Sequence, residues 1–391
     1  MQKSIIVSLA LVCAFFASFL TYRSSEFKEV SYAIAICVFL IVSFYSGISF
    51  RNSRLVSWFC VAYVLVLATS VVVNINSFAS FPIQSFLYPL IFFLISGSLW
   101  KIFLIHGSAA VFLLSIFVAN GFFALLGVIG ISEIYGIGPI TQGRAIFFTS
   151  LPSSGGLISN VNYYAATQAV GFWLLYFMLI RGVISWNMRW LVYFVAFSVI
   201  LGSSRSSTLV LIGSFVLFIF FESKLKIRVL ILIVSCFVIS SIFVLYEFAL
   251  NDDNLNVGLR LYKGLNNRDD LWGVGVNLAS SSMFFGYGSP QVYQREMLLA
   301  GASTTTVQNT ILSMLLMCGI GGVIFFMSSV LMAFFRFITW KDRRKEDSAV
   351  VALLFFVVGD SFVRSYIPGG VGPLPFLMTA SIVYLLRRGK L

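Results

Sequence analysis

The sequence predicts an all-α polytopic membrane protein with about 12 transmembrane helices, and three observations support this fold class. Hydrophobic residues make up 59% of the 391 residues and charged residues only 10%, with a mean hydropathy of +0.98. These values lie far outside the range of soluble domains. Apolar runs of about 20 residues, long enough to cross a hydrocarbon core, follow one another almost end to end. Basic residues gather in alternate connections between these runs.

Two long connections interrupt this series of spans and divide the chain. The predicted spans cover roughly residues 4–22, 31–50, 55–74, 84–100, 109–131, 163–180, 190–203, 207–222, 229–247, 307–333, 349–366 and 374–387. Residues 1–247 thus carry nine spans and a shorter loop near 132–162. Residues 248–306 form a large loop, predicted to fold into a cap of short helices, and residues 307–391 carry three spans. The first span ends without a convincing cleavage site and is expected to be retained.

The basic residues predict the orientation, because Lys and Arg beside spans are held on the cytoplasmic side. If the spans alternate, 17 of the 26 basic residues fall on one face. Both termini are then cytoplasmic, and both long loops are external. Topology therefore explains the net charge of +12, and nucleic acid is not an expected partner.

The titratable residues also limit the chemistry of the external face. The single histidine, His106, is predicted to be cytoplasmic. An external Ser-His-Asp triad or a histidine-ligated zinc site is thereby excluded. The sequence contains no clustered acidic motif of the kind that binds a divalent cation, so we expect neither metal nor cofactor.

The segment GSSRSSTL places one arginine between two apolar runs. Arg205 lies at the external end of the seventh predicted span, and the next helix begins just after it. One interpretation is an arginine whose charged end reaches the membrane surface from a helix end. The other is an anion site, because four neighbouring serines supply hydroxyls, Gly202 permits close backbone approach, and a helix N-terminus suits a phosphate.

Other charges on the external face are further candidates. Arg268 is flanked by aspartates at 269 and 270, so a solvated loop cluster is the alternative interpretation. Arg144 is the one basic residue of its segment, and Arg260 adds positive charge to the large loop. Asp360 and Arg364 are four residues apart near the end of the eleventh span, and this spacing predicts an internal ion pair.

Several of these residues resemble the motifs of the superfamily of bacterial O-antigen polymerases (Wzy) and O-antigen ligases, over roughly residues 144–321. Family members carry Arg-x-x-x-Leu at a helix end, which Arg205 and Leu209 match. In the large loop they carry an arginine, an aromatic residue and later Gly-x-Gly. Arg268, Trp272 and the glycines at 286 and 288 match this order.

Two features of the resemblance favour the polymerase branch. Polymerases carry an arginine eleven residues before a glycine in an earlier loop, as Arg144 and Gly155 do, and Asn162 matches the family asparagine at the start of the next span. Ligases carry a His-Asn pair after the large loop, with the histidine eleven residues before a glycine. Here Gln308 replaces that histidine, before Asn309 and Gly319.

The resemblance implies a GT-C-like glycosyltransferase of the bacterial inner membrane with its active face in the periplasm. Donor and acceptor are undecaprenyl-diphosphate-linked glycans, and a chain-length regulator and a flippase are expected partners in addition to the lipid bilayer. On this basis we predict that Arg205 and Arg268 are catalytic and that Asp269 is the base, with Asp270 and Glu296 as other candidate bases from their chemistry alone. The predicted substrate-binding residues are Arg144, Gln308, Asn309 and Asn162, together with Arg260 for its positive charge.

Three other functions remain open at this point. A ligase uses the same donor but transfers the glycan to the lipid A core. A lipid-linked oligosaccharide flippase or other transporter is disfavoured by the absence of an internal repeat and by the off-centre position of the large loop. A non-catalytic scaffold of the same pathway is the third.

Overall fold

A computed structural model of the chain describes residues 54–74, 107–131, 141–146, 151–158, 160–223, 268–304, 307–340, 342–366 and 373–387. Within these residues lie ten α-helices and one pair of short strands. In chain order they are α1 (Arg54–Val73), α2 (Gly107–Val128), β1 (Thr141–Ala145), β2 (Pro152–Ser154), α3 (Val161–Ile180), α4 (Arg189–Ser198), α5 (Arg205–Glu222), α6 (Arg268–Ser281), α7 (Pro290–Leu299), α8 (Thr310–Thr339), α9 (Lys345–Ser361) and α10 (Pro373–Arg387). Short 3₁₀ turns at Trp186–Met188 and Val199–Gly202 flank α4.

Eight of the twelve predicted spans can be compared with the structure, and each of them overlaps a helix. The spans predicted at 4–22, 31–50, 84–100 and 229–247 lie outside the described residues, and the other eight fall on α1 to α5 and α8 to α10. Among the described residues, four helices are long and apolar enough to cross a membrane, namely Ala110–Val128, α3, α5 and α8. Shorter apolar segments lie at Val61–Val73, Trp186–Gly202 and Leu377–Leu386. The helices indicate a membrane protein, and twelve spans remain a prediction.

The core of the bundle is built around α3, which is buried on nearly every side. Aromatic residues pack between α3 and α5, where Trp173 lies with its ring centroid 5.0 Å from that of Phe215. The Trp173 indole N–H donates to Ser214 Oγ at 2.9 Å, so its polar group is satisfied inside the core. α9 packs against both α3 and α5.

α9 runs antiparallel to α3 and α5, and this separates two sets of polar residues. At one end of the bundle, Arg181 and Arg344 lie 3.3 and 3.8 Å from Glu346, and Ser348 donates to Glu222 at 2.5 Å. All of these charges come from the face that the sequence predicts to be cytoplasmic. Arg205, Asp360 and Arg364 lie at the other end, which agrees with alternating spans.

One pair of short antiparallel strands accompanies the helices within the described residues. β1 and β2 pair Thr141 with Ser154 and Ala145 with Pro152, in the connection predicted as the shorter external loop. The register shifts between Gln142 and Ala145, which places Arg144 inside the irregularity. Strands of five and three residues leave no alternating pattern long enough to be recognised in a sequence. β2 packs against α2 and the turn before Ser203.

Two short helices, α6 and α7, confirm the helical character predicted for the large loop within residues 268–304. α7 begins after Ser289, whose hydroxyl accepts from the Val292 amide at 3.4 Å, and Pro290 occupies the first helical position. α6 packs closely against the start of α8. A Cβ added at Gly275 would lie 2.7 Å from Val307 Cγ1, so this contact depends on glycine.

The segment that joins α6 and α7 packs against a kink in α8. Gly319 has φ +66° and ψ −163°, a conformation that essentially only glycine adopts. Three backbone hydrogen bonds join the segment to the kink: Tyr287 N to Leu316 O (2.7 Å), Gly288 N to Met317 O (2.9 Å) and Ile320 N to Met283 O (2.8 Å). A Cβ at Gly319 would overlap the Phe284 carbonyl, and one at Gly286 would lie 2.6 Å from Met317 C. Glycines 286, 288 and 319 of the resemblance therefore belong to one packing contact.

We expect Gly319→Ala to destabilise the protein by about 2 kcal/mol or more, since the backbone conformation alone costs about 1–3 kcal/mol for any other residue. Thermal unfolding of the purified protein in detergent measures the loss. Gly321→Ala is the matched control, because its Cβ would meet Val66 Cγ1 at an ordinary 3.6 Å. Equal melting temperatures for the two variants would contradict the role of the kink.

Candidate functional site

A buried ion pair lies just beyond the end of α9. Arg364 and Asp360 pair with side chains that are 5% and 0% exposed, and the Tyr366 hydroxyl donates to Asp360 Oδ2 at 2.6 Å. The predicted internal pair is thus confirmed, although α9 ends at Ser361 and Arg364 lies in the turn that follows. Buried charges persist only when paired and hydrogen-bonded, as these are.

The serines of the GSSRSSTL segment bind this ion pair. Arg364 donates from Nη1 to Ser207 Oγ at 2.9 Å and from Nη2 to Ser204 Oγ at 2.8 Å. Ser207 in turn donates to Asp360 Oδ1 at 3.1 Å. The sequence predicts that these hydroxyls contribute to a polar pocket for an anion. Their hydrogen bonds to Arg364 and Asp360 hold Ser204 and Ser207, which flank Arg205.

Arg205 is the first residue of α5 and is half-buried. The turn before it approaches α3 closely, since a Cβ added at Gly202 would lie 2.7 Å from the Val161 carbonyl oxygen. Ser203 has φ +47°, in the left-handed region, so the chain turns sharply there. The arginine therefore stands at a helix N-terminus, where the helix dipole favours an anion.

The second candidate arginine, Arg268, is held against the start of α8. Its Nε donates to Gln308 Oε1 at 3.2 Å, and the Trp272 indole N–H, one turn later in α6, donates to the Val307 carbonyl at 2.9 Å. Gln308 has φ +50°. An uncommon backbone conformation at a hydrogen-bonded polar residue is a feature that clusters at functional sites.

Asn309 caps α8 and ties it to the turn after α9. Its Oδ1 accepts from the Leu312 amide at 3.0 Å, and its Nδ2 donates to the Phe362 carbonyl at 3.0 Å. The sequence predicts that this amide binds sugar hydroxyls. Each polar atom already has one protein partner, so one lone pair of Oδ1 and the second Nδ2 hydrogen remain for such a contact.

Thr310 connects the two arginine sites. Its hydroxyl donates to the Arg364 carbonyl at 3.0 Å and accepts from the Tyr366 amide at 2.6 Å. Hydrogen bonds and adjacent residues thus lead from Arg268 through residues 308–310 to Arg364 and the serines beside Arg205. We call residues 204–207, 268, 308–310 and 360–366 the polar end of the bundle.

The other predicted site residues lie partly outside this network. Arg144 is described by its backbone alone, in the irregular register of β1. Asn162 is in the first turn of α3, where its backbone N–H donates to Oδ1 of the capping residue Asn160 at 2.9 Å. Asp269 follows Arg268 in the first turn of α6, but its side chain lies outside the described part of the chain, as does all of Arg260.

Two residues of the polar end, Thr310 and Tyr366, were not selected by the sequence analysis. Neither carries a charge, and both lie within predicted spans, where a lone hydroxyl is unremarkable. The carboxylate of Asp360 at the same helix end is the signal that could have indicated a hydrogen-bonding partner nearby. Within the described residues, no group of three His, Cys, Asp or Glu side chains could hold a metal ion.

We expect Asp360→Asn to destabilise the protein by about 3–5 kcal/mol, because it leaves the buried Arg364 charge without its counter-ion. Replacing both residues with apolar ones, as in Asp360→Leu with Arg364→Met, should restore much of that loss. Thermal unfolding in detergent compares the variants. Ser361→Ala, at a buried neighbour that bonds only within its own helix in the hydrogen bonds described, is the control. A double variant less stable than Asp360→Asn would contradict this account.

A family model described as O-antigen ligase (Wzy_C) matches residues 190–327. The matched range includes Arg205, Arg268 and Gln308, whereas Asp360 and Arg364 lie beyond it. The match supports the superfamily of O-antigen ligases and polymerases. No curated protein matches the chain significantly.

Proposed function

We propose that this chain is a polysaccharide polymerase that joins undecaprenyl-diphosphate-linked repeat units at the periplasmic face of the inner membrane. One observation carries the proposal: hydrogen bonds join the two segments that hold Arg205 and Arg268. Arg268 donates to Gln308, Thr310 donates to the Arg364 carbonyl, and Arg364 donates to Ser204, the residue before Arg205. The family match over residues 190–327 adds independent support for O-antigen ligase or polymerase chemistry in surface-polysaccharide biosynthesis.

In the proposed reaction, a sugar hydroxyl of the acceptor attacks the anomeric carbon of the donor glycan. A new glycosidic C–O bond forms as the bond from that carbon to the lipid diphosphate breaks, and the diphosphate leaves with the electron pair. Negative charge grows on the leaving group in the transition state. Fixed cations at that position stabilise the transition state more than the ground state.

Arg205 and Arg268 suit this role because a guanidinium stays charged and its planar fork matches phosphate oxygens. Each is the first residue of a helix, α5 and α6, so the helix dipole adds to the favourable potential. Gln308 positions the Arg268 guanidinium through its Nε. In this scheme Asp269 accepts the proton of the attacking hydroxyl.

The choice of polymerase over ligase rests on Gln308. Ligases of the superfamily have a histidine here, which can take up a proton near neutral pH, whereas a glutamine amide cannot. The description of the matching family model, O-antigen ligase, makes the ligase the second candidate.

Arg205→Ala and Arg268→Ala should each lower polymer formation by about 10²–10³-fold, the usual effect of removing one group that stabilises transition-state charge. Gel profiles of surface polysaccharide, with the protein quantified in membranes, measure the loss. Arg295→Ala is the matched control, since this arginine is exposed and paired with Glu296 at 3.0 Å on α7. Wild-type chain lengths in either well-expressed variant would refute the proposed roles.

Deletion of the gene separates the two candidate functions. A strain that lacks a polymerase should still attach one repeat unit to its lipid A core, because ligation is intact. A strain that lacks the ligase should display bare core. Bare core in the deletion strain would therefore overturn the polymerase assignment and favour the ligase.

A further inference from the structure

The segment between α6 and α7 carries three exposed apolar side chains on a fixed backbone. Met283, Phe284 and Phe285 are all exposed, Phe284 to 75%. Their backbone is nevertheless held, because Ile320 N donates to the Met283 carbonyl at 2.8 Å and Ser70 Oγ donates to the Phe285 carbonyl. Exposure here is therefore a property of the fold. We call these three residues the tip.

The first measure of the depth of the tip comes from α1. This helix has 20 residues, which at 1.5 Å per residue is about 30 Å, the thickness of a hydrocarbon core. It begins at Arg54, and its last turn contacts the tip through Ser70. If Arg54 lies at one membrane surface, the tip lies at the edge of the hydrocarbon core near the opposite surface.

The second measure comes from α8, which runs antiparallel to α1. Tyr63 stacks on Phe325 with ring centroids 4.7 Å apart, and Ser70 Oγ also lies 2.8 Å from the Met317 carbonyl oxygen. α8 has 30 residues and kinks at its tenth, Gly319, so 20 residues remain after the kink. The last turn contains Arg336. This part also spans about 30 Å, and it places the kink and the tip at the same hydrocarbon edge.

The exposed side chains around the tip change from apolar to polar, as expected where a protein surface leaves the hydrocarbon core of a membrane. Val72 and Val73, in the last turn of α1, are exposed, and the next residue, Asn74, donates from Nδ2 to the Gly286 carbonyl at 2.9 Å. On the other side, Asn277 and Ser280 of α6 are exposed polar residues. The apolar tip is thus continuous with the apolar side of α1, and polar side chains of Asn74, Asn277 and Ser280 lie beyond it.

We propose that the tip inserts into the lipid bilayer at this edge, opposite the surface marked by Arg54 and Arg336, and holds α6 and α7 against the membrane. Lipid is the occupant that matches the depth, because both helices bring the tip to the boundary of the hydrocarbon core. Burial of three apolar side chains in lipid also accounts for an exposed patch that would be unfavourable in water. Arg268 at the start of α6 is then held near the level of lipid head groups.

Spin labels test this insertion in the full-length protein, reconstituted in phosphatidylethanolamine–phosphatidylglycerol vesicles with its native cysteines replaced by serine. Phe284→Cys carries the label at the tip, and Asn277→Cys carries the control label on α6. Collision with oxygen, which enriches in lipid, is compared with collision with a water-soluble nickel chelate. We expect a several-fold higher oxygen-to-nickel ratio at 284 than at 277. Met283→Cys provides a second tip label if Phe284→Cys does not fold.

Each other outcome overturns the insertion. Nickel access at 284 equal to that at 277 means that the tip faces water. Low access to both reagents means that protein covers the tip. Oxygen access that changes only when undecaprenyl phosphate is added means that the tip binds the isoprenoid tail of a substrate. Membrane contact is measured without turnover, so its failure leaves the proposed transfer reaction untouched.

Discussion

The buried pair of Arg364 and Asp360 is the interaction on which the polar end depends. A guanidinium in a membrane bundle requires both a counter-ion and acceptors for its other N–H groups. Asp360 supplies the first, and the hydroxyls of Ser204 and Ser207 supply the second. These serines lie within two residues of Arg205 on either side. The hydrogen bonds that the buried Arg364 side chain requires therefore determine the position of Arg205, which is less buried.

The arginines of the polar end differ in what they can offer a ligand. Arg364 is almost fully buried, and the adjacent carboxylate balances its charge. Arg205 and Arg268 are half-buried, and each begins a helix. Under the proposed function, these two guanidinium groups bind the anionic ligand beside two helix N-termini. Arg364 thus serves as the support, and Arg205 and Arg268 are the candidates for direct contact.

The sequence could predict features that depend on local pattern. Run length predicts the apolar helices, since each span must cover the same hydrocarbon thickness. Asp360 and Arg364 are close enough in sequence for their pairing to be expected. Gly202 predicts that the backbone lies close to a neighbouring element, and the structure places it against the Val161 carbonyl oxygen of α3. Of the three arginines selected from the motifs, Arg205 and Arg268 also belong to one end of the bundle.

Features that depend on distant contacts could not be predicted. Arg364 and Ser204 are 160 residues apart, and their hydrogen bond leaves no periodic trace in the sequence. The kink at Gly319 depends on the segment around Gly286 and is likewise defined by two remote stretches. β1 and β2 are too short to form a pattern. Sequence reasoning therefore identified the charged residues of the site but not the contacts that hold them.

The most direct measurement of the central claim is the product that the purified protein makes from one synthetic undecaprenyl-diphosphate repeat unit. Mass spectrometry of the lipid-linked glycans reports chain length and whether free undecaprenyl diphosphate is released. The wild-type protein should release one undecaprenyl diphosphate for each linkage formed, and Arg205→Ala and Arg268→Ala should release almost none. The account would be contradicted if wild type and both variants made equal amounts of polymer. It would also be contradicted if folded wild-type protein made no polymer.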